Sequence, residues 1–369
     1  MNDTNDPLRS ILVVSIFAAF LGGFFLLSVL MPTPTILSGE RRYPARFPPL
    51  SVESVLSGAF MDRFDRFAAD NFPFRDNFRG ANSRMVFGIY RQFDKKGLYI
   101  DKHGIGEFNE INHSSFSQLT EKIETISEAM GGVNVYYAYI PDKSIYSTEE
   151  LPGFDMDTLT QLMKEYPMPE DYCFIELTAA LDADSFYSTD LHWNQVMLGA
   201  VLRKLELSMG IDVDLSNYAE VCFGEFEGVY SGQVALPTKP DSLRYLINPS
   251  LSAMYLNEKT MELEIGSVYN GEKFFDLDPY DFFLSGAQPL IILENAESTS
   301  DKELYLFRDS FSSSLAPLLA SAYSKVYLID LRYIDMRILS RYVSFKEGSD
   351  AIFLYSSLII NNSGILQVY

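Results

Sequence analysis

Asp190, His192 and Ser310 have the side-chain types that serine acyl transfer needs: a carboxylate, an imidazole and a hydroxyl. The first two sit in Thr189-Asp190-Leu191-His192-Trp193, which holds one of only three histidines and the sole tryptophan. In an extended segment, residues two apart project to the same side, so the Asp190 carboxylate can reach the His192 Nδ1–H. The other ring nitrogen is then free to take a hydroxyl proton. A structural role competes: Asp190 or Thr189 caps a helix running from Asn194 to Met209 while His192 merely packs. Ser310 lies in Arg308-Asp309-Ser310-Phe311, where a strand, Leu304 to Phe307, hands over to a helix. Ligands of open α/β sheets bind at such carboxyl ends, and the free N–H groups of a helix start suit an oxyanion. Serine is also a good N-cap, and Ser312, Ser313 and Ser314 crowd the same turn. The distant Asp-x-His pair is what lifts Ser310 above capping. Trp193 either stacks on a sugar face or is packed inside. A metal centre would need His103 or His113 to join Asp190 and His192; no zinc-type spacing is present, and neither metal nor cofactor is expected.

The elements around these residues alternate in type. Phe116 to Met130 reads as helix and Val133 to Ile140 as strand, followed by Pro141-Asp142-Lys143 at a turn. Glu303 to Phe307 and Lys325 to Ile329 are β-rich runs flanking a helical stretch from Phe311 to Tyr323, and Ala351 to Leu358 is a further buried strand. Strand, helix, strand at this spacing predicts an α/β fold with a parallel sheet flanked by helices.

The N-terminus sets the compartment. Ser10 to Gly39 has no charged residue, and Ile11 to Met31 is long and apolar enough to cross a hydrocarbon core of about 30 Å. The run exceeds a usual signal-peptide core and no Ala-x-Ala site precedes Pro32 and Pro34, which favours an uncleaved signal anchor. Arg9 precedes the segment while Arg41, Arg42 and Arg46 follow it, a count that leans to the opposite orientation. Pro32, Pro34, Pro44, Pro48 and Pro49 then mark an extended linker. Val52, Val55, Leu56, Phe60, Phe64 and Phe67 recur at helical spacing, predicting an amphipathic helix from Ser51 to Ala69 and a second one over about Asn77 to Tyr90.

A net charge of −21 argues against nucleic acid or an anionic lipid surface as partner. Cys173 and Cys222 lack CxxC spacing; they either pair outside the cell or are buried.

Taken together, Asp190-x-His192-Trp193, Asp309-Ser310-Phe311, the Asp70-to-Arg75 run and Pro141-Asp142-Lys143 resemble the DHHW family of Gram-positive envelope proteins. That family is similar to the alginate-acetylation proteins of the SGNH-hydrolase-like superfamily. Leu191 stands where the naming motif has histidine. The resemblance implies an SGNH-like (flavodoxin-like) fold whose motif order is circularly permuted, because Asp190 and His192 precede Ser310. It also implies Ser310 as nucleophile, His192 as general base and Asp190 as its orienter, with Gly232 as an oxyanion donor. Arg332 holds substrate oxygen or is a plain ion pair. The expected division is residues 1–35 as a tip and anchor, 36–94 as a membrane-proximal linker with helices and 95–369 as the catalytic domain; the resemblance implies that the tip is cytoplasmic and the catalytic domain extracytoplasmic. The expected activity is O-acetyl transfer to an envelope or secreted polysaccharide through acyl-Ser310. An acetyl donor and a membrane-bound acyltransferase would be its partners. The alternatives are a carbohydrate O-acetylesterase and a non-catalytic glycan-binding scaffold of an exopolysaccharide assembly; a purely structural division or sporulation protein is a third.

Overall fold

The computed structural model describes residues 7–147 and 155–369, which fall into two compact units. The first comprises the chain up to Arg91 together with Gly232–Leu236. It begins with the helix Pro7–Leu30, in which Leu8–Ser28 has a mean hydropathy of 2.5 and no fully buried residue. At a rise of 1.5 Å per residue this span is about 31 Å long, the thickness of a hydrocarbon core. The expected cytoplasmic tip falls on residues 1–6, outside the described residues.

The single helix expected over Ser51 to Ala69 is two, Val52–Leu56 and Ala59–Asp70. Gly58 divides them at φ +80°, a conformation only glycine adopts cheaply, and a Ser51–Ser54 capping box starts the first. Arg75–Ser83 follows and widens into a π-turn over Arg84–Ile89. Ion pairs knit this unit: Arg42 grips both carboxylate oxygens of Asp70, and Arg75 meets Glu40. The Arg42 bond and the Ala45 amide hold the buried Asp70 carboxyl below its ordinary range against the cost of burial.

The second unit is built on an eight-stranded sheet. In spatial order its strands are Cys173–Phe174, Asn134–Ile140, Asp350–Ser356, Glu303–Arg308, Lys325–Ile329, Leu290–Asn295, Leu251–Leu256 and Leu263–Gly266. The first five run parallel, as the alternation of strands and helices predicts. The last three are antiparallel, which the sequence reading did not foresee. Their connections explain it: residues 257–262 close a hairpin, and 296–302 fall short of the dozen or so residues that a parallel crossover needs.

Side chains alternate across the sheet. Leu304, Leu306, Val326, Leu328, Ile352 and Leu354 point to one face, against the helices Gly199–Met209 and Ser312–Leu319. Tyr305, Phe307, Tyr327, Phe353 and Tyr355 point to the other, against His113–Glu128 and Met156–Glu165. Both faces are therefore apolar, and each central strand reads as a nearly continuous hydrophobic run. The parallel set delivers its carboxyl ends to one edge. There Pro141–Lys143, Asp309–Ser310, Asp330 and Ser356–Ser357 emerge side by side.

Candidate active site

Asp190, His192 and Ser310 meet at that edge. His192 Nδ1 lies 2.7 Å from Asp190 Oδ1, and its Nε2 lies 2.8 Å from Ser310 Oγ. Asp190 is fully buried, His192 is 4% exposed and Ser310 is half-buried, so the chain of bonds runs from the interior toward solvent. The aspartate reaches the ring by an Asx turn in a bend, not from an extended segment, because Oδ1 also accepts the His192 amide at 3.1 Å. Neither residue caps a helix; Asn194 caps the short turn that precedes Gly199–Met209.

The loop that presents the pair is tied down on every side. It folds back on itself through a Phe186–Trp193 bridge and a bond from the Tyr187 amide to the His192 carbonyl. Asp241 accepts the Ser188 amide, the Thr189 amide and the Thr189 hydroxyl. The Gly228 amide donates to Thr189 Oγ1, and the Val229 amide reaches Asp190 Oδ2 at 3.0 Å. Gly228 packs so closely that a Cβ there would lie 2.1 Å from the Thr189 carbonyl oxygen. From below, Lys143 Nζ donates to the carbonyls of Ile105, Tyr187 and Ser188. Burial pushes the Lys143 ammonium down to about 8, opposed by the charges of Asp241, Asp101, Asp190 and Asp142.

The serine side is equally constrained. Asp309 Oδ1 accepts the Phe311 amide and Oδ2 the Ser356 amide, fixing the turn that carries Ser310 to the neighbouring strand. Ser314 Oγ takes bonds from Trp193 Nε1 and from the Tyr280 hydroxyl. Gln195 Nε2 reaches the Ser314 carbonyl at 2.6 Å. Tyr280 stacks on the His192 ring and forms the wall of an aromatic cluster with Tyr187, Phe226, Phe274, Phe282 and Phe283. Arg308 is wholly buried; its guanidinium donates to Ser313 Oγ, the Asp309 carbonyl and the Gly286 carbonyl, and burial lowers its pKa.

The other candidates have different places. Trp193 is 0% exposed and bonded through Nε1 to the Phe311 carbonyl, so it braces the histidine loop and has no face for a sugar. Arg332 is fixed on both oxygens of Asp330, with its guanidinium 5.4 Å from the Tyr333 ring centroid, and lines a cavity of about 300 Å³. The ion pair of the two readings is therefore formed. Gly232 packs on Gly39, where a Cβ would lie 2.1 Å from a carbonyl oxygen, and its own carbonyl accepts Arg79. Close backbone approach accounts for that glycine, and nothing in its packing supports an oxyanion role. His103 pairs with Asp184 and His113 opens a helix; among the described residues no group of His, Cys, Asp and Glu is arranged to hold a metal. Cys173 and Cys222 are free and exposed, neither paired nor buried. Tyr280, Asp241 and Gly228 escape the sequence reading because each is held to the site by tertiary contact alone.

No family model matches the chain, and no curated protein matches its sequence. Solved structures do. A DHHW family protein from Eubacterium siraeum superposes with a TM-score of 0.59 at 17% identity, covering 75% of this chain and 97% of the other. PatB1 of Bacillus cereus, in a structure with a sulfonyl adduct, gives 0.57 at 15% identity, covering 72% and 96%. The O-acetyltransferase domain of Pseudomonas putida AlgJ superposes more loosely, with a TM-score of 0.42 at 12% identity, covering 72% and 93%. The chain thus has the fold of a DHHW family protein; of the motifs that resemble that family, those around Asp190, Ser310 and Asp142 lie at the carboxyl edge of its sheet, while the Asp70-to-Arg75 run belongs to the first unit.

Proposed function

We propose that this chain is a membrane-anchored, extracytoplasmic O-acetyltransferase of SGNH-like, circularly permuted type, acting on an envelope or secreted polysaccharide through an acyl-Ser310 intermediate. The observation that carries the reading is the unbroken chain Asp190 Oδ1···Nδ1 His192 Nε2···Oγ Ser310, at 2.7 and 2.8 Å. Each distance falls in the range a nucleophile and its base require, and the base is oriented by a buried carboxylate.

In the first half-reaction Ser310 Oγ attacks the acetyl carbonyl of the donor while its proton passes to His192 Nε2. Asp190 supports the imidazolium that forms. Amides at the start of the helix Ser312–Leu319, and its positive dipole end, are the oxyanion stabilisers that lie nearest in sequence. Collapse of the tetrahedral adduct expels the donor's oxygen, which takes the proton from His192. In the second half-reaction an acceptor hydroxyl gives its proton to His192 and attacks acetyl-Ser310, releasing the acetylated sugar and free Ser310. With water as acceptor the same steps make the chain an esterase; acetyl transfer rests on the motif resemblance. An acetyl donor supplied by a membrane-bound acyltransferase would suit an anchored enzyme of this kind. The catalytic body would be residues 95–369, joined to the anchor by 36–94.

The test is hydrolysis of a small activated acetyl ester by the full chain in detergent, with Ser310→Ala and His192→Ala beside it. The reading expects turnover that both substitutions abolish, and single labelling of Ser310 by a sulfonyl fluoride. Turnover indifferent to Ser310 would sink it.

A further inference from the structure

The anchor helix does not leave the first unit untouched. Phe24, inside the apolar span Leu8–Ser28, stacks on Phe72 with centroids 5.4 Å apart and planes 9° from parallel, and also meets Phe78 at 6.0 Å. Phe72 and Phe78 pack on each other at 5.7 Å. All of these residues belong to the same compact unit. Phe24 lies four residues before the end of the span, hence about 6 Å inside it at 1.5 Å per residue. A ring stacked on Phe24 shares that depth.

From this we propose that the Phe72-Pro73-Phe74 turn, with Phe78, is a second membrane contact, a hydrophobic wedge sunk into the acyl boundary of the leaflet where the anchor emerges. The inference rests on the anchor reading given above. Its occupant is the bilayer because the anchor residue that the wedge touches is itself lipid-embedded, so the two surfaces are continuous. In water the wedge is poorly placed: Phe72, Phe74 and Phe78 are 44%, 51% and 50% exposed. Phe74 is in addition held at φ +57°, a left-handed conformation costly for a bulky residue. Pro73 removes a backbone donor that lipid could not satisfy. The cations nearest in sequence are already neutralised, Arg75 by Glu40 and Arg79 by Asp76. Insertion is therefore apolar, with no call on anionic headgroups, in keeping with a chain of net charge −21. The wedge would pin the first unit against the bilayer surface, where a single helix alone would leave it free to swing.

Depth-resolved quenching tests this. The full chain is reconstituted in phosphatidylcholine vesicles with bromines either near the headgroup end of the acyl chain or near its middle. Phe72→Trp and Phe78→Trp are read against the parent, whose only tryptophan, Trp193, is buried. Phe17→Trp marks the middle of the span, and Leu207→Trp marks an exposed helix of the other unit. The expected result is loss of emission at both wedge positions, greater with shallow bromines than with deep ones, the reverse order at Phe17→Trp and none at Leu207→Trp. The two wedge variants serve as independent checks should one fail to fold. If Phe17→Trp is quenched while the wedge variants emit as Leu207→Trp does, the wedge is overturned and the anchor stands; a protein partner would then be the cover for these rings. If Phe17→Trp also escapes quenching, the anchor reading fails and the wedge with it.

Discussion

His192 lies flat on Tyr280, ring centroids 3.7 Å apart and planes within 4° of parallel, and the tyrosine is itself fixed by its hydroxyl on Ser314. An aromatic face beneath an imidazole does two things. It fixes the ring plane, so that Nε2 points at Ser310, and it favours the imidazolium that forms during proton transfer.

Removing that face should cost activity in proportion to what a stacked pair contributes, about 0.5–1.5 kcal/mol, or roughly 2- to 10-fold in kcat. Tyr280→Leu is expected to show the loss with little change in KM. Tyr280→Phe keeps the ring and gives up only the Ser314 bond, so it should retain most of the rate. Equal losses in the two variants would mean that the hydroxyl, not the stacked face, matters.

Asp190→Asn should be far more damaging. The carboxylate accepts from His192 Nδ1, the His192 amide and the Val229 amide at once. An amide in its place can present an N–H to the ring and select the wrong tautomer, a change that costs about 10⁴ in kcat in a standard triad. Ester turnover within tenfold of the parent would show that His192 works without its carboxylate.

How far the sequence carries depends on the range of the interaction that makes each feature. Strands such as Lys325–Ile329 come out at their full bounds because burial on both faces writes a continuous apolar run into the four residues after Lys325. Asp190 and His192 are legible because they are two apart, and Ser310 because that pair adds a chemical reason to a strand-to-helix junction. Tyr280 is one of 23 tyrosines, 88 residues from the ring on which it stacks, with no local pattern to distinguish it. The antiparallel part of the sheet is hidden for a related reason: which way a strand runs depends on where its connection leads, and the partly buried Leu251–Leu256 carries no mark of its direction until its hairpin partner is found. Gly232 shows the opposite case: the sequence offers it as an oxyanion donor, and in the structure the close Gly39 backbone already accounts for a glycine there.

Gly228 is the position where packing and chemistry meet most tightly. Its amide bonds Thr189 Oγ1, and a Cβ would fall 2.1 Å from the Thr189 carbonyl oxygen and 2.5 Å from the Asp190 amide nitrogen. Those atoms are backbone and cannot swing aside, so Gly228→Ala must push the Asp190 loop away from Ser310. A loss of about 1–3 kcal/mol in unfolding free energy is expected, with a much larger fall in ester turnover than the stability change explains. Chemical denaturation and activity measured on one preparation would separate the two, and a stable, fully active variant would contradict the geometry.

Lys143 gives the site a pH signature in stability. Its ammonium, buried beneath the histidine loop, is brought from the ordinary 10.5 down to about 8 by desolvation, in spite of Asp241, Asp101, Asp190 and Asp142 around it. Below about pH 8 the lysine is charged in both the folded and unfolded chain, and the fold bears the full cost of burying the charge. Between about 8 and 10.5 the unfolded chain binds more protons than the folded one, so the Lys143 contribution to stability rises with pH across that window, by on the order of 3 kcal/mol at most. The neutral amine keeps two N–H donors, enough for the Tyr187 and Ile105 carbonyls at 2.7 and 2.9 Å; the contact to Ser188 at 3.4 Å is the one it gives up. Lys143→Met has no proton to lose, so denaturation of parent and variant at about pH 7 and about pH 10 isolates the effect. The difference should move in the parent's favour at the higher pH, and parallel pH profiles would show that the ammonium is solvated after all.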